Sequence, residues 1–296
     1  MKRVLLGLVL LTAAGVAAFL VVTWPKRGDA VALGQLGGDP ARGETLFWAG
    51  GCASCHADPK AEGDARLVLS GGMRLPTPFG TFAVPNISPD PLQGIGNWTL
   101  ADFEGALRHG TSPDGKHYYP SFPYTSYAHA SDQDVVDLWA YLQTLPLSNR
   151  PNDPHELGFP FNQRLLLGGW KFLNLSTAWA VPDPLTPEEE RGRYLVEGFG
   201  HCGECHTPRN ALGGRDMARW LAGGPNPEGK GSIPNITPAK LDWSDADIAE
   251  YLKSGFTPDY DSAGAQMADV VTNISHLPDS DRLAIAAYLK KVPPQN

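Results

Sequence analysis

Four cysteines stand in this sequence, and they fall into two matching arrangements. Cys52-Ala-Ser-Cys55-His56 and Cys202-Gly-Glu-Cys205-His206 each set two thiols three positions apart, with an imidazole directly after the second. Three positions is close to one helical turn, so the two sulfurs and the imidazole come out together at one helix end. Cys-x-x-Cys-His is the pattern for covalent attachment of c-type haem, in which each sulfur adds to a vinyl group and the histidine ligates the iron. A bare Cys-x-x-Cys also serves as a dithiol redox pair or as half of a zinc site. Two copies with histidine in the fifth place argue against both. The expectation is two covalently bound c-type haems, held by Cys52, Cys55, Cys202 and Cys205, with His56 and His206 as proximal iron ligands. Once these pairs are assigned, no cysteine remains for a disulfide.

The residues that must position these motifs form a repeat. Glu44–His56 is echoed by Gly192–His206, and Pro85-Asn-Ile-Ser-Pro89 by Pro234-Asn-Ile-Thr-Pro238. Trp98 is echoed by Trp243, and Leu138-Trp-Ala-Tyr-Leu142 by Ile285-Ala-Ala-Tyr-Leu289. From Trp98/Trp243 to Cys52/Cys202, the matched positions lie 145 to 150 residues apart and in the same order. Asp39-Pro40 and Thr186-Pro187 read as helix starts, with capping-box spacing from Thr186 to Glu189. Each of these helices is expected to run into its Cys-x-x-Cys-His. Second helices are expected near Asp102–Arg108 and Asp245–Lys253, and closing helices from about Ser131 and Asp279. No sustained alternation argues for a sheet. The fold expectation is all-α: two tandem class I cytochrome c-like domains, 38–150 and 185–296, joined by a linker, 151–184. That linker carries Phe159-Pro-Phe161 and Leu165-Leu-Leu-Gly-Gly-Trp170-Lys-Phe-Leu173. It reads either as a strap packed in the cleft between domains, the reading favoured here, or as a patch for a membrane or partner.

Residues 1–27 hold Lys2-Arg3 and an apolar run from Val4 to about Val22. That run approaches the ~20 residues needed to cross a bilayer and exceeds the ~7–15 of a secretory signal core. Trp24 lies where aromatic residues favour the membrane interface. An uncleaved transmembrane helix is therefore expected rather than a cleaved signal. Haem attachment of this kind places the rest of the chain in the periplasm, at the inner (cytoplasmic) membrane. The formal charge of −8 excludes a nucleic-acid partner, whose phosphates it would repel.

Of the four methionines, Met267 lies on the segment before the last helix, where a sixth iron ligand belongs, whereas Met217 follows its haem motif too closely. His109, His117, His155 and His201 are weaker signals. Arg108 and Arg209 have the guanidinium chemistry to meet haem propionates but nothing singles them out.

From Asp39 to its C-terminus the chain resembles the membrane-bound cytochrome c subunits of periplasmic alcohol, aldehyde and sugar dehydrogenases. Thr77-Pro-Phe-Gly-Thr-Phe82, Pro85-Asn-Ile-Ser-Pro-Asp90, Gly94-Ile-Gly-Asn-Trp98, Phe122-Pro-Tyr-Thr-Ser-Tyr127 and Phe159-Pro-Phe-Asn162 carry the resemblance. It implies single-electron transfer from a periplasmic dehydrogenase to a quinone-linked or oxidase-linked acceptor, with no catalytic residue of its own. It also implies a distal methionine in the first domain at the position of Phe122 or of Ala130, and this chain has one at neither. His129, beside the second of these, is the leading candidate for the first iron's sixth ligand. Met73 and an open position are the others. An open first iron would suit the alternative function, a haem enzyme resembling thiosulfate dehydrogenases or peroxidases, or a sensor.

Overall fold

The computed structural model describes residues 1–226 and 231–295. Helix α1 (Lys2–Val22) is apolar along its length, buries no residue, and is followed by the single turn α2 (Ala30–Leu33). The first half then runs α3 (Pro40–Ala49), the short α4 (Cys52–His56), strands β1 (Arg74–Thr77) and β2 (Gly80–Ala83), α5 (Leu100–His109), α6 (Tyr124–Tyr127) and α7 (Asp132–Leu142). Strand β3 (Glu156–Leu157) and α8 (Leu166–Asn174) connect to the second half. There α9 (Pro187–Arg193) continues in wider turns through Tyr194–Phe199 and leads to α10 (Gly203–His206), β4 (Gly224–Pro225), β5 (Ser232–Ile233), α11 (Asp245–Ser254), α12 (Gln266–Ile274) and α13 (Asp279–Leu289).

The helix starts follow from local chemistry. Asp39 accepts from the Ala41 amide at the head of α3, and Thr186, Thr99 and Ser244 each form a capping box at α9, α5 and α11. In both halves the first helix crosses the closing helix, α3 on α7 and α9 on α13, at a glycine. A Cβ on Gly43 would lie 2.1 Å from the Asp137 carbonyl oxygen, and one on Gly192 1.9 Å from that of Ala284. Arginines then fasten each crossing. Arg42 reaches the buried Asp137 at 2.6 and 3.0 Å, and Arg191 reaches Asp281 at 2.9 and 2.7 Å. Burial works against the Asp137 charge, but Arg42, the Asp39 amide and Gln133 outweigh it and hold the carboxyl below its usual range.

Two expectations are corrected here. The helices before the haem motifs do not run into them: α3 ends at Ala49 and the chain turns through Gly51 at φ 59° before α4, while α9 is kinked at Gly198. The fold is helix-dominated but not without sheet. β1, β2 and β3 form an antiparallel sheet in that order, and β4 pairs with β5. Strands of two to four residues are too short to show alternation. The β1–β2 hairpin is set by turn residues instead, Pro78 and Gly80 at φ 124°.

The connecting segment divides in use. β3 extends the first-half sheet, and Trp179–Val181 is gripped by the second half. Glu197 accepts from the Ala180 and Val181 amides, and Arg193 donates to the Val181 carbonyl while lying 4.8 Å from the Trp179 ring. Between them, α8 crosses the end of α1. Its Lys171 ammonium, 7% exposed, turns inward to the carbonyls of His109 and Gly110 at the C-terminus of α5. There the helix dipole favours a cation. Burial nevertheless pushes Lys171 down to about 7. One continuous apolar core runs through both halves, from Leu46, Phe47 and Tyr127 to Leu195, Phe199 and Tyr288.

Gly43→Ala or Gly192→Ala is expected to force the helix pair apart and cost ~1–3 kcal/mol, read as a lower denaturant midpoint of the haem-loaded protein. Burial also pushes His109 and His117 down to about 4 from an ordinary 6.5. The unfolded chain therefore takes up these protons first. Stability should fall as pH drops from about 6.5 to about 4 and gain no further slope from these two rings below that. Melting the His117→Phe variant across that range should give a shallower fall than the parent.

Candidate haem-attachment site

Each histidine of the two motifs is fixed by the same hydrogen bond. His56 Nδ1 donates to the Pro85 carbonyl at 2.8 Å, and His206 Nδ1 to that of Pro234 at 2.8 Å. A carbonyl can only accept, so the proton must sit on Nδ1 and the Nε2 lone pair is left for a metal. Burial agrees, pushing His56 down to about 4 and His206 below its ordinary range, so both rings are neutral at pH 7.

The proline is placed by its neighbours. Asn86 donates to the carbonyls of Ser148 and Arg150 at 2.7 and 3.0 Å, and its side-chain oxygen accepts from Ser88 N at 2.9 Å. Asn235 does the same with Gln295 and Thr237 at 2.8 and 2.8 Å. The Pro-Asn-Ile-Ser/Thr-Pro repeat is thus a bracket: proline presents the carbonyl, and asparagine ties it to the chain beyond the closing helix. Gly71 and Gly223 complete it. Their amides donate to the His56 and His206 carbonyls at 2.7 Å, both lie at positive φ, and a Cβ on either would meet the proline–asparagine backbone at about 2.5 Å.

The sulfurs fit thioether formation better than the other uses of a Cys-x-x-Cys. No disulfide joins the motif cysteines, and burial raises Cys52 and Cys202 to about 12 and Cys55 to about 11. These three are neutral thiols, unlike the low-pKa thiolates of redox pairs and zinc sites. Among the described residues, no three His, Cys, Asp or Glu side chains converge as a metal site of their own. Two thiols at one helix turn, a neutral imidazole with Nε2 open to ligation, and an apolar surround are a donor set suited to c-type haem.

The two attachment helices meet at a seam. Ser54, between the cysteines of α4, accepts from Asn273 of α12 at 2.6 Å and from Arg66 at 3.3 Å. Glu204, the corresponding residue of α10, accepts from Thr125 and Ser126 of α6 at 2.8 and 3.2 Å and pairs with Arg215 at 3.5 Å. Burial opposes the Glu204 charge, yet Arg215 and Arg209 keep it below its usual range. His201 crosses the same seam to the Gly50 carbonyl at 3.2 Å, which Tyr127 of the first half also bonds at 3.1 Å.

Met267 stands near the start of α12, half-buried against the core, and Phe122, also half-buried against it, lies just before α6 in the first half. The His129 ring is stacked on Trp179 at 4.0 Å, and His276, its counterpart, on Trp48 at 3.8 Å. Both histidines thereby belong to the seam. The Met73 carbonyl accepts from Val84, next to Pro85, which places that segment on the proximal histidine's side. Arg108 is engaged by Glu104 and Asp132, and Arg209 by Glu204. Sequence reading missed Ser54–Asn273, Glu204–Arg215 and the two bracket glycines. Only the glycines left a signal, as Gly-Gly pairs after each motif.

A cytochrome c family model matches residues 40–146. The chain is 70% identical over 287 residues to a diheme cytochrome c-type protein of Cereibacter sphaeroides, covering 97% of each. It is 38% identical to the fructose dehydrogenase cytochrome subunit of Gluconobacter japonicus, over 86% of this chain and 52% of that one. It is 36% identical to the gluconate 2-dehydrogenase cytochrome c subunit of Pantoea cypripedii, over 85% and 59%. The chain thus spans nearly all of the first relative and little more than half of the other two.

Asn86→Ala is expected to leave the haem covalently attached while loosening the bracket by ~1–3 kcal/mol, because buried carbonyls lose their donor. Denaturation of the purified holoprotein checks it; an unchanged midpoint would mean that the bracket does not depend on Asn86.

Proposed function

The chain belongs to the cytochrome c family, and from that premise we propose that it is a membrane-held dihaem electron carrier, with cytochrome c domains at 38–150 and 185–296. The observation that carries this reading is the duplicated bracket, in which each Cys-x-x-Cys-His imidazole gives its Nδ1 proton to a proline carbonyl at 2.8 Å. Bound haem supplies a one-electron couple. The protein's part is to tether it, orient it and exclude water around it. Cys52 and Cys55 hold one haem with His56, and Cys202 and Cys205 the other with His206.

Met267 is the sixth ligand in the second domain. The first domain has no methionine at either position the resemblance names, Phe122 or Ala130, so the two irons differ. His129 is the candidate for the first iron, and its stack on Trp179 is what ligation would have to share or break. An axial methionine raises a haem potential relative to histidine, so the domains would hold electrons with unequal affinity.

α1 is the anchor, long and apolar enough to cross a bilayer. It holds the haem domains on the periplasmic side of the inner membrane. The donor is a periplasmic dehydrogenase, as the names of the cytochrome-subunit relatives suggest, and the acceptor is quinone-linked or oxidase-linked.

Met267→Ala should keep both haems attached, by haem content per chain, yet remove the methionine-to-iron band in near-infrared magnetic circular dichroism. Survival of that band would overturn the assignment. His129→Ala should alter the electron paramagnetic resonance signal of the first haem alone; an unchanged signal would remove His129 from the ligand set.

A further inference from the structure

Helix α8 has its polarity reversed for a helix facing water. Its charged residue, Lys171, is buried, while Leu165, Leu166, Phe172 and Leu173 stand outward, the last two 68% and 67% exposed. Leu165, Leu166, Gly169, Phe172 and Leu173 follow the i, i+1, i+4, i+7, i+8 spacing of a single helical face. That face holds no polar side chain.

The middle of the face meets α1. A Cβ on Gly169 would lie 3.2 Å from the Phe19 ring, and one on the adjacent Gly168 2.6 Å from Thr23 Cβ. The two glycines let α8 lie directly across the end of α1, with its exposed leucines and phenylalanine to either side of Phe19. The apolar surface of α1 therefore passes without a break into that of α8. A cleft of about 500 Å³ at the junction has Leu20, Trp24 and Leu165 as its apolar wall, with Arg27 and Asp114 also lining it. Lys171, fixed to the α5 carbonyls, keeps α8 from turning this face elsewhere.

We propose that α8 lies in the surface of the bilayer that α1 crosses, with Leu165, Leu166, Phe172 and Leu173 among the lipids, so that both haem domains are held at one attitude to the membrane. The inference rests on reading α1 as an uncleaved span. A protein partner is the weaker occupant, because it would have to reach the face through the lipid surrounding Phe19. Interfacial helices of this type present an apolar face to the headgroup boundary, and Lys26, Arg27 and Trp24 supply the flanking cations and aromatic ring.

Hydroxyl-radical footprinting of the full haem-loaded chain in phosphatidylcholine/phosphatidylglycerol nanodiscs tests it, read by mass spectrometry at Leu11, Phe172 and Tyr260. Tyr260, 92% exposed and remote in sequence from α8, serves as the water-facing control. Protection of Phe172 to the level of Leu11, with Tyr260 oxidised, is the expected result. Oxidation of Phe172 alongside Tyr260 while Leu11 is protected would overturn the α8 proposal and leave the anchor standing; protection appearing only on adding a dehydrogenase would assign the face to protein instead. Oxidation of Leu11 would overturn the anchor itself.

Discussion

The proton on Nδ1 of each motif histidine is the constraint on which the site depends. An imidazole has two nitrogens and, when neutral, one proton, so committing Nδ1 to a carbonyl leaves Nε2 as the only lone pair. The carbonyl thereby decides which nitrogen is open to ligation. In both halves it is supplied by a proline, which cannot spend an N–H elsewhere, and is held by an asparagine that reaches past the closing helix. The glycine at positive φ lets the outgoing chain pass within contact of that same backbone. The closing-helix crossings at Gly43 and Gly192 then acquire a functional sense. They fix the frame to which the asparagine is tied, so packing far from the motif sets the orientation of its histidine.

The seam extends this from one site to two. Residues between the paired cysteines have nothing to do in haem attachment itself, and here they become the contact points between halves. Ser54 and Glu204 each reach the segment that precedes the opposite closing helix. For Met267 and Phe122 this means that their own segments are braced by the other half's attachment helix. Two sites built in this way cannot shift independently.

Much of this was legible in the sequence, and the exceptions have a common cause. Motifs, caps and helix spacing are local, so Asp39, Thr186 and the Cys-x-x-Cys-His runs announced themselves. The repeat made the rest of each half readable by comparison with the other. What stayed hidden was non-local or very short. Asn273 and Ser54 are 219 positions apart, and nothing in either residue type names its partner. The hairpin strands are too brief for a period to show. His129 drew attention by its position next to a ligand site, whereas its stack on Trp179 depends on a linker residue no local pattern places.

The differences between the halves carry as much as their likeness. The backbone bracket is conserved between copies to a tenth of an ångström in its key distance, while the side chains at two positions have diverged. Ser54 stands where the second copy has Glu204, and the segment before the closing helix carries Met267 in the second copy and no methionine in the first. A buried carboxylate held ionised by Arg215 and Arg209 places fixed charge beside the second motif that the first lacks. In the proposed ligation Met267 adds a separate route, through its bond to the iron rather than through the field. Ligation and field are thus tuned on one scaffold without altering the geometry that fixes the histidine. Under the proposed ligation, duplication followed by such local exchange gives two sites of unequal electron affinity at a constant spacing, and that inequality is what makes a pair of haems more useful than one.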